Sequence, residues 1–300
     1  MITRSDSFEL DLAPYFMEFK EKIDKDDVTV IVPTLNEERA IELVLSDLYL
    51  EGYSKTVVID GSSIDDTVSI VKKMRVPVYP QVGVGKTGAI KTALAYVKTP
   101  YLAIIDGDCT YSAKDIGALL EKAPQYNHVI GARSDRGNIK IINRFGNSAI
   151  NLLFNLSFGT NLTDVCSGLY VMSTSFAKEI TLETGGFDVE VEIAAQAAKS
   201  SKIAEVPISY GKRVGVQKLN PVKDGVAIST SILKLSKKYN PLVFYSYLFG
   251  FILAGTGFGY LVYSIDNLSF SLISASFLFG GIILLASGLF LSRYKLNKIK

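Results

Sequence analysis

Short apolar runs alternate with amphipathic stretches along the first half of the chain. The runs are bounded by polar residues or glycine, which is typical of strands buried on both faces. The stretches between them repeat apolar residues at helical spacing, as in Ile41, Val44, Leu45 and Leu48. This alternation predicts an α/β fold in which helices cover a parallel sheet. The predicted strands are 28–32, 56–60, 76–79, 101–106 and 129–131, and the predicted helices are 37–50, 65–73, 87–97 and 113–123.

The pattern changes after Gly131. A long apolar helix is predicted at 141–158, followed by a strand at 169–172 and a helix at 189–200. The long helix is apolar enough either to face a membrane in part or to pack in the core, and the sequence leaves both interpretations open.

Two long stretches near the C-terminus, 242–265 and 268–292, contain no charged residue. Each exceeds the roughly 20 residues that a helix needs to cross a bilayer. Two core helices of a soluble protein would rarely follow one another this closely, so the sequence predicts a transmembrane hairpin. Basic residues flank both of its ends, and the positive-inside rule therefore predicts an integral, multi-pass protein with the α/β domain and both termini on the cytoplasmic side.

These patterns divide the chain into four parts. They are an N-terminal extension at 1–27 with no assigned function, an α/β domain at 28–220, a basic juxtamembrane segment at 221–241, and the hairpin with its basic tail at 242–300. The formal net charge of +2 hides a basic C-terminal part and a slightly acidic remainder. A basic segment beside a hairpin suits anionic lipid headgroups and does not predict a nucleic-acid surface.

Small residues and cysteines add two expectations. Gly255 and Gly259 are spaced for close helix contact, either within the hairpin or between the protomers of a homo-oligomer. Cys109 and Cys166 have no cysteine near them in the sequence, so they predict neither a zinc site nor a disulfide framework.

Two carboxylates follow the apolar run at 101–105. Asp106 and Asp108 are expected at the carboxyl edge of the sheet, where open α/β proteins bind ligands. Mg²⁺ is typically held by one or two carboxylates together with the phosphates of its substrate. A bare Asp-x-Asp is more often a polar turn, but Asp60 ends a second strand and Glu37 follows a third. The sequence therefore predicts a divalent-cation site for a nucleoside diphosphate.

Three segments occur in the order and spacing of family-two glycosyltransferases with a GT-A fold: 33–37 (PTLNE), 60–67 (DGSSIDDT) and 106–108 (DGD). Their form most resembles that of the dolichyl- and polyprenyl-phosphate sugar transferases. Further segments that are similar to motifs of these enzymes are 85–89 (GKTGA), 131–133 (GAR), 164–168 (DVCSG), 187–192 (FDVEVE) and 213–219 (RVGVQKL). The resemblance implies a Rossmann-like GT-A catalytic domain followed by the membrane hairpin.

The resemblance implies a donor side that binds a UDP- or GDP-sugar. The residues that would line its base and ribose pocket are Pro33, Leu35, Glu37 and Asp60. Asp106 and Asp108 would hold Mg²⁺ or Mn²⁺ on the diphosphate, with Lys86 nearby, and the cation would neutralise the departing nucleoside diphosphate.

The resemblance also implies an acceptor side, built by the second half of the domain. Arg133, Arg144 and Arg213 would bind the phosphate of a dolichyl or polyprenyl phosphate, because a guanidinium group can donate paired hydrogen bonds to phosphate oxygens. The other residues expected on this side are Lys218, Asp164, Glu190 and Glu192. A phosphomonoester is largely dianionic at pH 7 and needs no general base, so we expect a direct inverting displacement.

The chain departs from the family pattern at three positions. Gly61 stands where the second Asp of Asp-Asp-Gly-Ser is usual, Thr110 where a Gln often follows the metal motif, and Gln217 where the Arg-x-Gly-x-Ser-Lys-Leu segment has Ser. Two other functions stay open on the sequence alone. One is transfer to a hydroxyl of a lipid-linked glycan, and the other is a non-catalytic accessory role in the membrane.

Overall fold

The computed structural model describes residues 23–134, 137–138, 141–183, 185–186, 188–200, 202–215, 220–263 and 268–297. The strands are β1 (Val28–Thr34), β2 (Thr56–Asp60), β3 (Val78–Pro80), β4 (Tyr101–Ile104), β5 (His128–Arg133), β6 (Tyr170–Ser173) and β7 (Ile203–Ile208). The helices are α1 (Ile41–Leu50), α2 (Thr67–Lys73), α3 (Gly85–Leu94), α4 (Lys114–Lys122), α5 (Ile141–Phe158), α6 (Thr174–Glu179), α7 (Val189–Lys199), α8 (Pro221–Tyr239), α9 (Pro241–Tyr263) and α10 (Leu268–Asn297). Most of the predicted extension at 1–27 lies outside the described residues.

The strands in the described part of the chain form one mixed sheet in the order β3-β2-β1-β4-β6-β5-β7. β1 pairs in parallel with β2 and β4, β2 with β3, and β5 with β7. β6 runs antiparallel between β4 and β5, so the sheet is mixed, and the predicted parallel arrangement holds for the strands β1 to β4. The segment that joins β5 to β6 begins and ends at the same edge of the sheet, and β6 must therefore run back in the opposite direction.

Helices cover both faces of the sheet. Alternate residues of a strand point to opposite faces. Val30 and Val32 of β1 accordingly belong to the apolar cluster under α1, α2 and α4, and Ile31 belongs to the cluster under α3, α6 and α7. A third cluster joins β5 to α5, α7 and α8 around Phe154 and Ile232. Burial on both faces explains why the central strands are almost continuously apolar in sequence.

Some elements differ from the predicted ones. α1 begins at Ile41 rather than at residue 37, because Asn36 has a left-handed backbone (φ 52°) and its side chain accepts a hydrogen bond from the Ile64 amide (2.8 Å). The sequence pattern does not predict β7, which is an incompletely buried edge strand that contains Pro207. The juxtamembrane segment is mostly the helix α8, whose first turn is capped by the Asn220 side chain.

The last two helices pack against each other as an antiparallel pair. Each contains a 23-residue stretch that is long and apolar enough to cross a membrane, and only 17% of each apolar window is buried, unlike a core helix. Gly250 of α9 lies against Leu285, and Gly257 lies against Leu278. Gly255 has open space around it, as does Gly259, so the small residues predicted for close contact do not make it within the hairpin.

His128 is a buried polar residue in the apolar interior. It lies at the start of β5, is 1% exposed and packs edge-on against Tyr170, with the ring centroids 5.2 Å apart. Neither ring nitrogen has a hydrogen-bond partner within the described part of the chain. Burial lowers the pKa of His128 from 6.5 to about 3, so the folded protein holds this imidazole neutral.

We expect His128 to make the protein less stable in acid. In the unfolded chain the His128 imidazole binds a proton near pH 6.5, whereas in the folded chain it stays unprotonated down to about pH 3. Between these values the free energy of unfolding should fall by up to about 1.4 kcal/mol per pH unit on account of this residue. Chemical denaturation of the full chain in a non-ionic detergent measures the slope. If His128→Phe shows the same slope, the contribution does not come from His128.

Candidate active site

The candidate site lies at one edge of the sheet. The parallel strands end there, and the antiparallel strand β6 begins there, so the loops after β1, β4, β5 and β7 meet the segment that precedes β6. A cavity of 520 Å³ opens at this edge, and its wall is completed by the start of α3 and by α5, α7 and α8. This is the edge at which α/β proteins bind ligands.

Asp106 and Asp108 lie on the wall of the cavity, and each is paired with a cation. The Lys86 ammonium is 2.6 Å from Asp106 Oδ1, and the Arg213 guanidinium is 2.5 Å from Asp108 Oδ2. The other oxygen of Asp108 accepts hydrogen bonds from the Thr110 amide (3.0 Å) and hydroxyl (2.5 Å). Burial and the neighbouring Asp106 raise the pKa of Asp108 above its ordinary value, and Arg213 opposes that shift.

Lys86 joins two carboxylates from distant parts of the chain. Besides Asp106, it contacts Glu190 Oε1 of α7 at 2.7 Å. Burial alone would lower the pKa of Lys86, but the two carboxylates outweigh burial and hold that pKa well above its ordinary value. Lys86 is therefore a fixed positive charge on the wall of the cavity.

Gly168 fixes the position of Asp106. A β-carbon at residue 168 would lie 1.9 Å from Asp106 Oδ2, so only glycine leaves room for this carboxylate. The Gly168 amide donates a hydrogen bond to the Tyr111 hydroxyl (2.7 Å), and burial raises the pKa of Tyr111 above its ordinary value. The segment before β6 is thereby held against the loop after β4.

Arg133 and Asp164 form a second buried ion pair. Asp164 accepts two hydrogen bonds from the Arg133 guanidinium, both at 2.5 Å, and one from the Arg133 amide at 3.0 Å. The guanidinium carbon also lies 5.2 Å from the ring centroid of Tyr210. Because a guanidinium has five N–H donors, the pair leaves Arg133 with donors for a ligand in the cavity that it lines.

The structure brings most of the predicted site residues together. Those that line the cavity are Pro33, Leu35, Glu37, Lys86, Asp106, Asp108, Arg133, Glu190 and Arg213. Asp164 reaches the site only through Arg133. Asp60 is buried in its own turn, where it accepts hydrogen bonds from Ser62 and Ser63.

Three other predicted residues are placed differently. Glu192 lies on α7 two residues after Glu190, on a different face of the helix and outside the cavity lining, and accepts a hydrogen bond from the Glu183 amide (2.7 Å). Arg144 lies on α5 but is not part of the cavity lining. Lys218 lies outside the described residues.

The cavity also has lining residues that are not among the predicted site residues. They are Gln81, Tyr111, Asn143, Asn147, Cys166 and Tyr210. Cys166 lies within the motif segment 164–168 and Tyr210 just before the segment 213–219, and this position in the sequence is a signal that could have found them. Asn143 and Asn147 are one turn apart on α5, and only the packing of that helix against the sheet edge shows that they face the cavity.

Asp106 and Asp108 fit a hard divalent cation. Their oxygens share one wall of the cavity, and Mg²⁺ usually completes its coordination with water and substrate phosphates. Within the described part of the chain no cluster of three or more His, Cys, Asp or Glu residues could hold a metal ion. A cation here would therefore take its other ligands from a diphosphate and water.

A family model described as Glycosyl transferase family 2 matches residues 29–180, about half of the chain. The chain belongs to this family. The motifs after β1, β2 and β4 lie within the matched range, and the predicted family is thus confirmed. The protein is a glycosyltransferase.

Two relatives of this glycosyltransferase come from the archaeon Haloferax volcanii. Glycosyltransferase AglJ is 34% identical over 246 residues, which cover 79% of this chain and 81% of the relative. A protein named dolichyl-phosphate hexose transferase is 33% identical over 216 residues, which cover 70% of this chain and 94% of the relative.

The fold is shared with a solved glycosyltransferase. Glucosyl-3-phosphoglycerate synthase from Mycobacterium tuberculosis, crystallised with Mn²⁺, UDP-glucose and phosphoglyceric acid, matches with a TM-score of 0.57 and 22% identity. The match covers 71% of this chain and 79% of that one. It confirms the predicted GT-A fold, to which this chain adds two C-terminal helices long enough to span a membrane.

Proposed function

We propose that this glycosyltransferase transfers a sugar, with inversion, from a nucleoside-diphosphate sugar to a dolichyl or polyprenyl phosphate. Residues 28–220 would be the catalytic domain, 221–241 the juxtamembrane segment and 242–300 the membrane anchor. The observation that carries the proposal is the course of the cavity. It runs from the carboxylates Asp106 and Asp108 to the helices α5 and α8, which contact the two apolar helices.

The surface around the cavity supports a lipid acceptor. The exposed apolar side chains on α5 are Ile142, Phe145 and Leu152, and those on α8 are Val222, Val226 and Leu233. Such exposed apolar side chains on helices suit the boundary between headgroups and acyl chains. Exposed lysines of α8 lie next to them and would attract anionic lipids. We infer that the catalytic domain sits at the cytoplasmic membrane surface.

The charges in the cavity support a phosphate nucleophile. Asp106, Asp108 and Glu190 are each already engaged in an ion pair with a cation, which would have to move aside before any of them could remove a proton from an acceptor. A sugar hydroxyl would need a base to remove its proton, whereas a lipid phosphate dianion can attack directly. Arg133 and Arg213 would bind that phosphate, and Lys86 would lie beside the diphosphate.

A divalent cation, Mg²⁺ or Mn²⁺, would stabilise the negative charge of the leaving nucleoside diphosphate. Asp106 and Asp108 would hold it. Lys86 and Arg213 already supply positive charge at these carboxylates. This wall of the cavity would therefore favour the binding of a negatively charged phosphate. The name of one relative, dolichyl-phosphate hexose transferase, also supports the proposed acceptor.

A transfer assay tests the proposal. Full-length protein in lipid bicelles receives polyprenyl phosphate, Mg²⁺ or Mn²⁺, and a panel of UDP- and GDP-sugars, and mass spectrometry detects the lipid product. We expect a mass gain of one sugar on the lipid phosphate, which is lost on chelation of the metal. The matched control is a polyprenol of the same length without phosphate, which should stay unmodified.

Other outcomes would contradict the proposal in distinct ways. Transfer to the polyprenol, or to a lipid-linked sugar but not to the lipid phosphate, would establish a hydroxyl acceptor instead. An unchanged rate in the presence of a chelator would contradict the role of the cation. Absence of transfer from every donor to every acceptor would favour the non-catalytic accessory role.

A further inference from the structure

One end of the cavity is formed around a glycine that departs from the family pattern. A β-carbon on Gly61 would lie 3.2 Å from the Thr34 carbonyl oxygen, 3.3 Å from Gln81 Oε1 and 3.6 Å from the Leu35 β-carbon. These residues therefore converge on one point, at the ends of β1, β2 and β3, and all of them line the cavity. Because Gly61 has no side chain, the Gln81 amide faces the cavity there.

Asp60 is not available for a ligand at this end. Its Oδ2 accepts hydrogen bonds from the amides of Ser62 (3.0 Å) and Ser63 (2.9 Å), and its Oδ1 accepts from the hydroxyls of Ser63 (2.6 Å) and Thr34 (3.4 Å). These four bonds match the roughly four acceptor sites of a carboxylate. Asp60 therefore shapes the turn after β2, and the side-chain acceptor beside Gly61 on the wall of the cavity is Gln81 Oε1.

The orientation of the Gln81 amide is fixed. Its Nε2 donates to the carbonyl oxygens of Gly83 (3.2 Å) and Gly85 (2.9 Å), and its backbone amide donates to the Asp60 carbonyl oxygen (2.8 Å). Gly88 packs closely against the same amide, because a β-carbon at residue 88 would lie 2.8 Å from Gln81 Nε2. A flipped amide would place an oxygen against two carbonyl oxygens, so Gln81 offers Oε1, an acceptor only, to the cavity.

We propose that Gln81 recognises the base of the donor by accepting a hydrogen bond from the N3–H group of uracil, which selects a UDP-sugar over a GDP-sugar as the donor. This inference rests on the proposed function in that it needs a nucleoside-diphosphate donor. Uracil presents one N–H between two carbonyls, which matches a single fixed acceptor. Guanine presents two adjacent N–H donors and would leave one unpaired beside Gln81, and cytosine turns an unprotonated N3 toward the amide oxygen. Unpaired polar groups of this kind reduce binding strongly.

Calorimetric binding of nucleotides tests this role without depending on turnover. UDP, N3-methyl-UDP and GDP are titrated, each with Mn²⁺, into the full-length protein and into Gln81→Ala and Gln125→Ala. Gln125 is an exposed residue after α4 and serves as the matched control. For the unaltered protein we expect UDP to bind at least about tenfold more tightly than N3-methyl-UDP or GDP, the effect of one lost hydrogen bond.

Gln81→Ala should weaken UDP about tenfold and bring the ratio of UDP to N3-methyl-UDP affinity close to one, since the alanine removes both the acceptor and the steric conflict with the methyl group. Gln125→Ala should keep the ratio. Equal binding of UDP and N3-methyl-UDP by the unaltered protein, an unchanged ratio in Gln81→Ala, or tighter binding of GDP would each overturn the role of Gln81.

The assignment to Gln81 and the proposed acceptor can fail separately. Binding of UDP that depends on Gln81, with no transfer to lipid phosphate, would overturn the proposed lipid-phosphate acceptor. It would leave the role of Gln81 in base recognition intact. Transfer to lipid phosphate from a GDP-sugar alone would do the reverse. Absence of binding by any of the nucleotides would overturn both.

Discussion

Asp108→Asn should lower kcat/KM for sugar transfer by about a thousandfold, which corresponds to about 4 kcal/mol of lost transition-state stabilisation. Asparagine keeps the acceptor that bonds to Thr110 and nearly the same volume, so the turn should hold its shape. It removes the negative charge that pairs with Arg213 at 2.5 Å and that would hold the divalent cation. Steady-state kinetics with the donor found in the transfer assay measure the loss.

Asp66→Asn is the matched control for this variant. Asp66 is an exposed carboxylate just before α2, so the control makes the same chemical change away from the cavity and should keep full activity. Thermal unfolding of both variants separates a catalytic loss from a folding defect. If Asp108→Asn retained full metal-dependent activity, Asp108 would not be part of the catalytic machinery.

Gly168→Ala should abolish most activity although it adds only a methyl group. The new β-carbon would lie 1.9 Å from Asp106 Oδ2 and 2.5 Å from its carboxyl carbon, so the carboxylate has to move and its contact with Lys86 is lost. Displacement of a catalytic group by about 1 Å can cost about a hundredfold in rate. We expect at least that loss, together with a decrease of about 1–3 kcal/mol in the free energy of unfolding from overpacking.

Gly117→Ala provides the comparison for Gly168→Ala. Gly117 lies within α4 and a β-carbon there would meet no atom within 4 Å. Alanine is the better helix former by up to about 1 kcal/mol, so this variant should be slightly stabilised and fully active. Full activity of Gly168→Ala would show that the site tolerates a shifted Asp106, or that Asp106 is not needed.

The agreement between sequence and structure is best where a local rule applies. The central strands are buried on both faces, and a nearly continuous apolar run such as 28–32, interrupted only by Thr29, identifies them without reference to other parts of the chain. The two long apolar helices are equally evident from their own composition. Edge strand β7 was harder to predict because it is incompletely buried and interrupted by Pro207, so its pattern is that of a loop.

Long-range contacts at the site could not be predicted from motifs. The motif that contains Asp60 is present, yet its carboxylate is used by the turn that it caps. Conversely, Gln81 belongs to no motif but lines the cavity, because Gly61 opposite it lacks a side chain. Which side chain of a loop faces a ligand depends on its partners across the sheet edge.

The sequence by itself determined the α/β architecture, the family, the apolar hairpin and the identity of the carboxylates at Asp106 and Asp108, since each is encoded in a short run of neighbouring residues. Only the tertiary structure decided that β6 runs antiparallel and that Gly168, which precedes it, lies against Asp106. It also decided that Lys86 bridges Asp106 and Glu190. These contacts join residues that are far apart in the chain, and they exist only because the strands end at a common edge.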